Sequence, residues 1–396
     1  DLSRVLAGPW CGQILADLGA QVIKVERPGE GDDTRHWGPP FMKDAESGDT
    51  RDATYYTCAN RNKQSLTVDL TQPEGQAIVR ELASKSDVLI ENFKVGGLAR
   101  YGLDYATLQA LNPRLIYCSI TGFGQDGPYA SRAGYDLLIQ ASSGMMSITG
   151  RPDAEPGGGP MRVGVAVTDL FTGVYAATAI LAAVEVRHRT GRGQHVDMAL
   201  LDVGMAMLAN QASAFLNTGR PPRRQGNSHP SIVPYQDFPT ADGAMLLAVG
   251  NDGQFARFCE AAGVPEWSRD ERFATNTQRV RHRELLVPMV AELTRRRSTA
   301  EWVELLEHRA VPCGPINDIG QAFEDPQVQA RGLRVELPHA RYGAIAGVAS
   351  PLRLSETPPV LRNAPPDLGQ HTEQVLSEVL GYEADRIAAL RDRGIV

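Results

Sequence analysis

The first half of the chain alternates between two kinds of hydrophobic pattern. "DLSRVLAGPWCGQILADLGAQVIKVERPG" ends an apolar run at Gly8-Pro9, then carries Ile14, Leu15 and Leu18 at helical spacing up to Gly19. It resumes in the β-branched run "QVIKVE". This predicts a strand end, a turn, a helix and a strand, a βαβ unit that implies a parallel sheet with a right-handed crossover. The alternation continues through "QSLTVDL" (strand), "PEGQAIVRELASKS" (helix), "DVLIENF" (strand), "YATLQALNP" (helix) and "LIYCSITGFG" (strand). "LLIQASSGMMSITG" is helical, "FTGVYAATAILAAVEVRHRTGRG" a long helix rich in small residues, and "GQHVDMALLDVGMAMLANQASAFLNTG" a short strand plus another long helix.

After Gly219 the pattern changes. "RPPRRQGNSHPSIVPYQDFPTADG" is a Pro- and Gly-rich loop, "AMLLAVG" a strand, and about 252–309 mostly helical, which marks a second, smaller domain. "GLRVELPHARYGAIAGVASPLRL" predicts strands with a turn, and "HTEQVLSEVLGY" and "ADRIAALRDRGIV" two closing helices. The fold class is α/β.

At 396 residues the chain exceeds one ordinary core. No uninterrupted apolar run approaches the ~20 residues that cross a bilayer, and a net charge of −7 offers no general attraction to nucleic acid or anionic membrane. The five cysteines form no C-x-x-C pair and the eight histidines no H-E-x-x-H spacing, so neither a disulfide framework nor a metal site is expected. The chain opens at Asp1 as if within a strand, so a preceding segment, with any targeting peptide, is expected.

A nicotinamide-cofactor reading has Glu26 at the end of the second strand in its favour. Against it, "LAGPWCG" places Pro9 and Trp10 where a dinucleotide fingerprint needs glycines. Arg27, next to Glu26, suits a phosphate. In "GVAVTDLFTG" a lone carboxylate, Asp169, stands where a strand is expected to hand over to a helix. It reads either as a helix cap or as a nucleophile.

Seven stretches settle the family resemblance: "RVLAGPWCGQILADLGAQVIKVERPGEGDDTR", "NRNKQSLTVDL", "ENFKVGGLARYGL", "YCSITGFGQDGPYASRAGYD", "ASSGMMSITG", "TGRGQHVDMALLD" and "PPDLGQHT". Over essentially the whole chain they resemble the family III CoA-transferases, a group that also includes formyl-CoA transferase, carnitine CoA-transferase and α-methylacyl-CoA racemase. "ERPGEGDDTRHWGPPF", "GNSHPSIVPYQDF" and "VPCGPINDI" resemble the succinyl-CoA:glutarate CoA-transferase branch.

The resemblance implies an interlocked homodimer. Each chain would form a large Rossmann-like domain from 1–200 and 326–396, a linker helix and loop at 201–225, and a small α+β domain at 226–325. It implies acyl-CoA and a carboxylic acid as substrates, no permanently bound cofactor, no metal, and residence in a bacterial cytoplasm or a mitochondrial matrix. Asp169 would be the nucleophile. Val5, Leu6, Arg27, Ala59, Asn60, Arg61, Asn62, Asn92, Phe93, Arg100, Arg132 and Tyr135 would contact CoA. Gly250 and Gly253 of "VGNDGQF" would form a shielding loop, although an ordinary turn explains them equally. For the acceptor, the residues of "GNSHPSIVPY" themselves offer Ser228, His229 and Ser231, with His229 or a nearby arginine to hold a dicarboxylate's free end.

Two other readings remain. In racemases of this family a His precedes an Asp in G-H-D; here Tyr135 precedes Asp136, and a phenol is a poor α-proton base. A non-catalytic acyl-CoA-binding protein would have no use for Asp169.

Overall fold

The computed structural model describes residues 1–44 and 48–396. It divides into two compact units, one of residues 1–145, 163–218 and 326–396, the other of 146–162 and 219–325. Residues 146–162, inside the span assigned above to the large domain, thus cluster with the smaller unit.

In the first unit, α1 (Ala7–Asp17) leads to β1 (Val22–Glu26), which pairs in parallel with β2 (Lys63–Thr67). Gly8 and Pro9 lie inside the first turn of α1 rather than in a turn before it. Proline is tolerated there because a first-turn N–H has no intrahelical partner to lose. After α2 (Pro73–Lys85) comes β3 (Val88–Glu91); α3 (Tyr105–Leu111) precedes β4 (Ile116–Thr121). Helix α4 (Asp136–Ser142) and the 24-residue α5 (Val167–Thr190) follow, then β5 (His195–Ala199). β3, β4 and β5 form a parallel sheet in that order. Leu2 N donates to Ile90 O of β3 (2.8 Å) and Asp1 O accepts from Val25 N of β1 (2.9 Å), so residues 1–2 join the two parallel sheets.

Side-chain alternation gives this sheet a core on each face. Leu66, Leu89 and Tyr117 face Ile78, Leu82 and Leu108, together with Val375, Leu376 and Ile387 from the closing helices. Ile90, Ile116, Cys118 and Ile120 face Cys11 and Leu15 of α1 and Ala176 and Ile180 of α5. Small residues let α1 and α5 approach closely: a Cβ built on Gly173 would stand 2.7 Å from the Ala7 carbonyl oxygen.

Helix α5 begins at Val167 with no strand before it, which differs from the expected handover. By length and composition it is also long and apolar enough to cross a bilayer, although polar residues such as Thr178 interrupt its apolar runs. Phe171, Val174, Tyr175 and Leu181 are exposed on it, beside Leu137 and Leu138 of α4. The long helix expected to follow β5 is broken, with Leu200–Ala206 and Ala209–Thr218 separated at 207–208.

In the second unit, β6 (Tyr235–Pro239) and β7 (Ala244–Ala248) pair antiparallel, and α6 (Asp252–Ala261) opens the helical run. β6 falls inside the predicted loop. Phe238, Met245, Phe255, Phe258, Leu286 and Trp302 belong to its separate core.

Candidate active site

Two cavities of the first unit lie at the carboxyl ends of its parallel strands, the usual ligand position in open α/β sheets. One, of about 470 Å³, is lined by Val25 and Arg27 after β1, by Asp32, and by Val68, Asp69 and Thr71 after β2. The other, of about 530 Å³, is lined by Val5, Leu6 and Ala7 at the start of α1, Asn92 after β3, Gly122 after β4, and Asp169. Arg4 and Phe93 line both. Each volume falls in the ligand-pocket range.

Asp169 stands in the first turn of α5, yet it caps nothing. The Ala166 cap position supplies no side-chain acceptor. The helix is capped from elsewhere: Asp136 Oδ1 accepts from Thr168 N (2.8 Å) and Thr168 Oγ1 (2.6 Å). Gln140 Nε2 donates to Asp136 Oδ2 (2.7 Å) and Gln140 Oε1 accepts from Val163 N (2.9 Å), so this acceptor is itself held. Among the described residues the Asp169 carboxylate accepts no hydrogen bond.

Burial pushes the Asp169 carboxyl up to about 7, and the neighbouring Asp136 carboxylate adds to the shift. The helix N-terminus acts in the opposite sense, favouring an anion. A reaction that needs the Asp169 anion is therefore expected to accelerate about tenfold per pH unit below about 7 and to level off above it. Asp136→Asn keeps an oxygen for Thr168 but removes the like charge. Its pH–rate profile is expected to rise at lower pH than that of the unaltered enzyme; an unmoved profile would exclude Asp136 as a cause.

Residues 1–372 match CoA-transferase family III. The chain belongs to that family. The transferase is 55% identical over 379 residues to succinate–glutarate CoA-transferase of Agrobacterium fabrum, covering 96% of this chain and 94% of that protein. It is 43% identical over 396 residues to succinyl-CoA:glutarate CoA-transferase of Homo sapiens, covering 100% and 88%. The crystal structure of a CAIB/BAIF family protein from Brucella suis superposes with a TM-score of 0.84 at 48% identity, covering 96% and 97% of the two chains.

Eight residues singled out in the sequence line the second cavity of the transferase together: Val5, Leu6, Asn92, Phe93, Arg100, Arg132, Tyr135 and Asp169. Arg27 lines the first cavity, its guanidinium 2.9 Å from Glu30. Ala59, Asn60, Arg61 and Asn62 are not among the residues that line these two cavities. Asn60 Oδ1 accepts from Lys63 Nζ (2.9 Å), Arg61 Nη2 binds Asp17 (2.6 Å), and Asn62 Nδ2 donates to Asp17 Oδ1 (2.8 Å). Val68–Thr71 line the first cavity. Glu26 is engaged by Arg35 (2.8 Å) and Ser65 Oγ (2.7 Å), which leaves it no ribose to hold.

Gly250, Gly253 and His229 belong to the second unit. Asn251 caps α6 by accepting from Gln254 N, and Gly250 N donates to Gln254 Oε1 (2.7 Å). His229 Nδ1 accepts from Ser231 N (3.0 Å). Arg283 fixes this loop by donating to the His229 and Pro230 carbonyls (3.0 Å each). Sequence reasoning also passed over Arg4 and Tyr55. Burial pushes the Tyr55 phenol up to about 12, with smaller contributions from Cys58 and then Asp169.

Proposed function

We propose that this transferase moves CoA from succinyl-CoA to glutarate, or a dicarboxylate of similar length, through a thioester on Asp169. The observation that carries the reading is the free Asp169 carboxylate in the cavity wall, relieved of capping by Asp136. The choice of acids follows the relatives at 55% and 43% identity.

The Asp169 anion attacks the thioester carbonyl, forming a mixed anhydride and releasing CoA thiolate. The thiolate attacks the aspartyl carbonyl, the donor acid departs, and an aspartyl-CoA thioester remains. The acceptor carboxylate repeats the two steps in reverse. One thioester is exchanged for another, so positioning and a dry site supply the catalysis. Leu6 and Ala7 bring the uncapped start of α1 to the same cavity, where N–H groups favour a developing oxyanion.

The CoA nucleotide lies along Arg27 and Val68–Thr71 in the first cavity, and the pantetheine passes Phe93 into the second, toward Asp169. Arg100 and Arg132 add positive charge there. Arg27→Ala and Arg100→Ala are each expected to raise KM for the CoA ester about tenfold with kcat nearly unchanged, since they touch the handle rather than the reacting atoms. Steady-state kinetics against succinyl-CoA checks this. The exposed apolar side chains of α4 and α5 support a homodimer in which a second copy covers them.

A racemase reading gains nothing from the geometry. Asp136 is committed to Thr168 and Gln140, and Tyr135 has no hydrogen-bonded base among the described residues. A panel of CoA donors and dicarboxylate acceptors, read by mass spectrometry of the esters, tests the assignment. Hydroxylamine should also trap an adduct at Asp169; an unmodified Asp169 in an active enzyme would overturn the mechanism.

A further inference from the structure

Val5 is β-branched yet holds φ at +72°, in the left-handed region that such residues avoid. A conformation of this kind persists only when its surroundings impose it. Here the restraint comes from side chains. Val5 N donates to both carboxylate oxygens of Asp32, each at 3.2 Å. Asp32 is fully buried and paired with Lys24 at 2.9 Å, which is fully buried too. Lys24 Nζ also donates to Ser3 O (2.8 Å), and Thr34 Oγ1 donates to Asp32 (2.7 Å). From the other side the Asn92 amide grips Arg4 at both N (2.9 Å) and O (2.7 Å).

The segment so held forms the partition of the site. Arg4 lines both cavities, with Nη1 3.1 Å from Asp33 and the guanidinium 5.9 Å from the Phe93 ring centroid. Val5, Leu6 and Ala7 line the cavity of Asp169. A buried ion pair is weak evidence of a contribution to stability. A buried pair that imposes an uncommon backbone turn at a cavity wall has a different use.

We propose that Lys24 and Asp32 are positioning residues of CoA transfer: their buried pair locks the left-handed turn at Val5. That turn aims Arg4 at the CoA phosphates between the two cavities and sets the start of α1 against Asp169. This rests on the proposed transfer at Asp169 and adds two residues that act through the backbone of Val5, Asp32 at the wall of the first cavity and Lys24 behind it.

Three full-length variants test it: Asp32→Asn, Asp32→Asn/Val5→Gly, and Val5→Pro. Asp32→Asn weakens the grip on the turn and is expected to cut kcat/KM per folded molecule at least 100-fold, raising KM for succinyl-CoA and lowering kcat together. Glycine takes positive φ without strain, so the double variant is expected to regain activity to within about tenfold of the unaltered enzyme while its Tm stays low. A merely structural pair predicts no such recovery. Val5→Pro fixes φ near −65° and removes the N–H that donates to Asp32, while Lys24 still pairs with Asp32; it is expected to weaken CoA binding, read by titration calorimetry without turnover, and to lower kcat. It decides the matter if Asp32→Asn does not fold.

CoA affinity and kcat within threefold of the unaltered enzyme in Val5→Pro would overturn the proposal, as would Asp32→Asn/Val5→Gly no more active than Asp32→Asn. An unaltered enzyme that binds CoA but transfers none would instead sink the function assigned above, leaving the calorimetric comparison valid.

Discussion

Asp169→Ala is expected to lose CoA transfer by about 10⁴-fold or more, the scale seen when a covalent nucleophile is removed, with far-UV circular dichroism unchanged. The fold should survive because Asp169 makes no capping bond: the start of α5 is held by Asp136 and Gln140. Stability should move the opposite way from activity. Folding raises the Asp169 pKa from 3.8 to about 7, so the folded state binds its proton more tightly than the unfolded chain. That favours folding fully below pH 3.8, and the benefit is lost as pH rises through about 7. Asp169→Asn should therefore unfold at higher temperature than the unaltered enzyme at pH 8, by about 1–2 kcal/mol of stability, with little difference near pH 4. Urea or thermal melts at the two pH values check the sign. Equal stability at both would mean that the carboxylate is ionised at no cost. Transfer retained by Asp169→Ala would end the nucleophile reading.

The βα alternation was legible because parallel strands covered on both faces produce continuous apolar runs; β4, "IYCSIT", is buried along nearly its whole length. What Asp169 does was not legible from its own neighbourhood. Near a helix start an aspartate usually caps, and the residue that releases it from that duty, Asp136, acts from 32 positions before Thr168. The resemblance puts Ala59–Asn62 along the nucleotide, yet pairing within the fold also occupies this stretch. Its charge is taken up by Asp17, 44 residues before Arg61. Val68–Leu70 read as the end of the strand "QSLTVDL", and only the sheet's layout puts that end at a cavity. Arg4 gave no signal because its importance lies in where Val5 turns the chain.

The second large effect is expected from one added methyl group, in Gly134→Ala. Gly134 ends the loop before α4, and Gly122 follows β4; their backbones touch. A Cβ on Gly134 would fall 2.3 Å from Gly122 Cα, and one on Gly122 would fall 2.5 Å from Gly134 Cα. Neither contact is with a side chain that could swing away, so the loop must lift off the end of the strand. Gly122 O is already tied to Leu201 N (3.0 Å), which leaves the displacement to the loop side. There it reaches Tyr135 and Asp136, and through the bonds to Thr168 the turn that carries Asp169. Overpacking of this kind costs about 1–3 kcal/mol, and a displacement of about 1 Å at reacting atoms lowers kcat about 100-fold. Gly134→Ala should accordingly show both a lower Tm and a kcat reduced by about two orders of magnitude. Gly243→Ala is the control: a Cβ there meets nothing within 4 Å, so both quantities should stay put. If Gly134→Ala kept the unaltered enzyme's kcat despite a lower Tm, the Asp136–Thr168 link would not be what holds Asp169 in position.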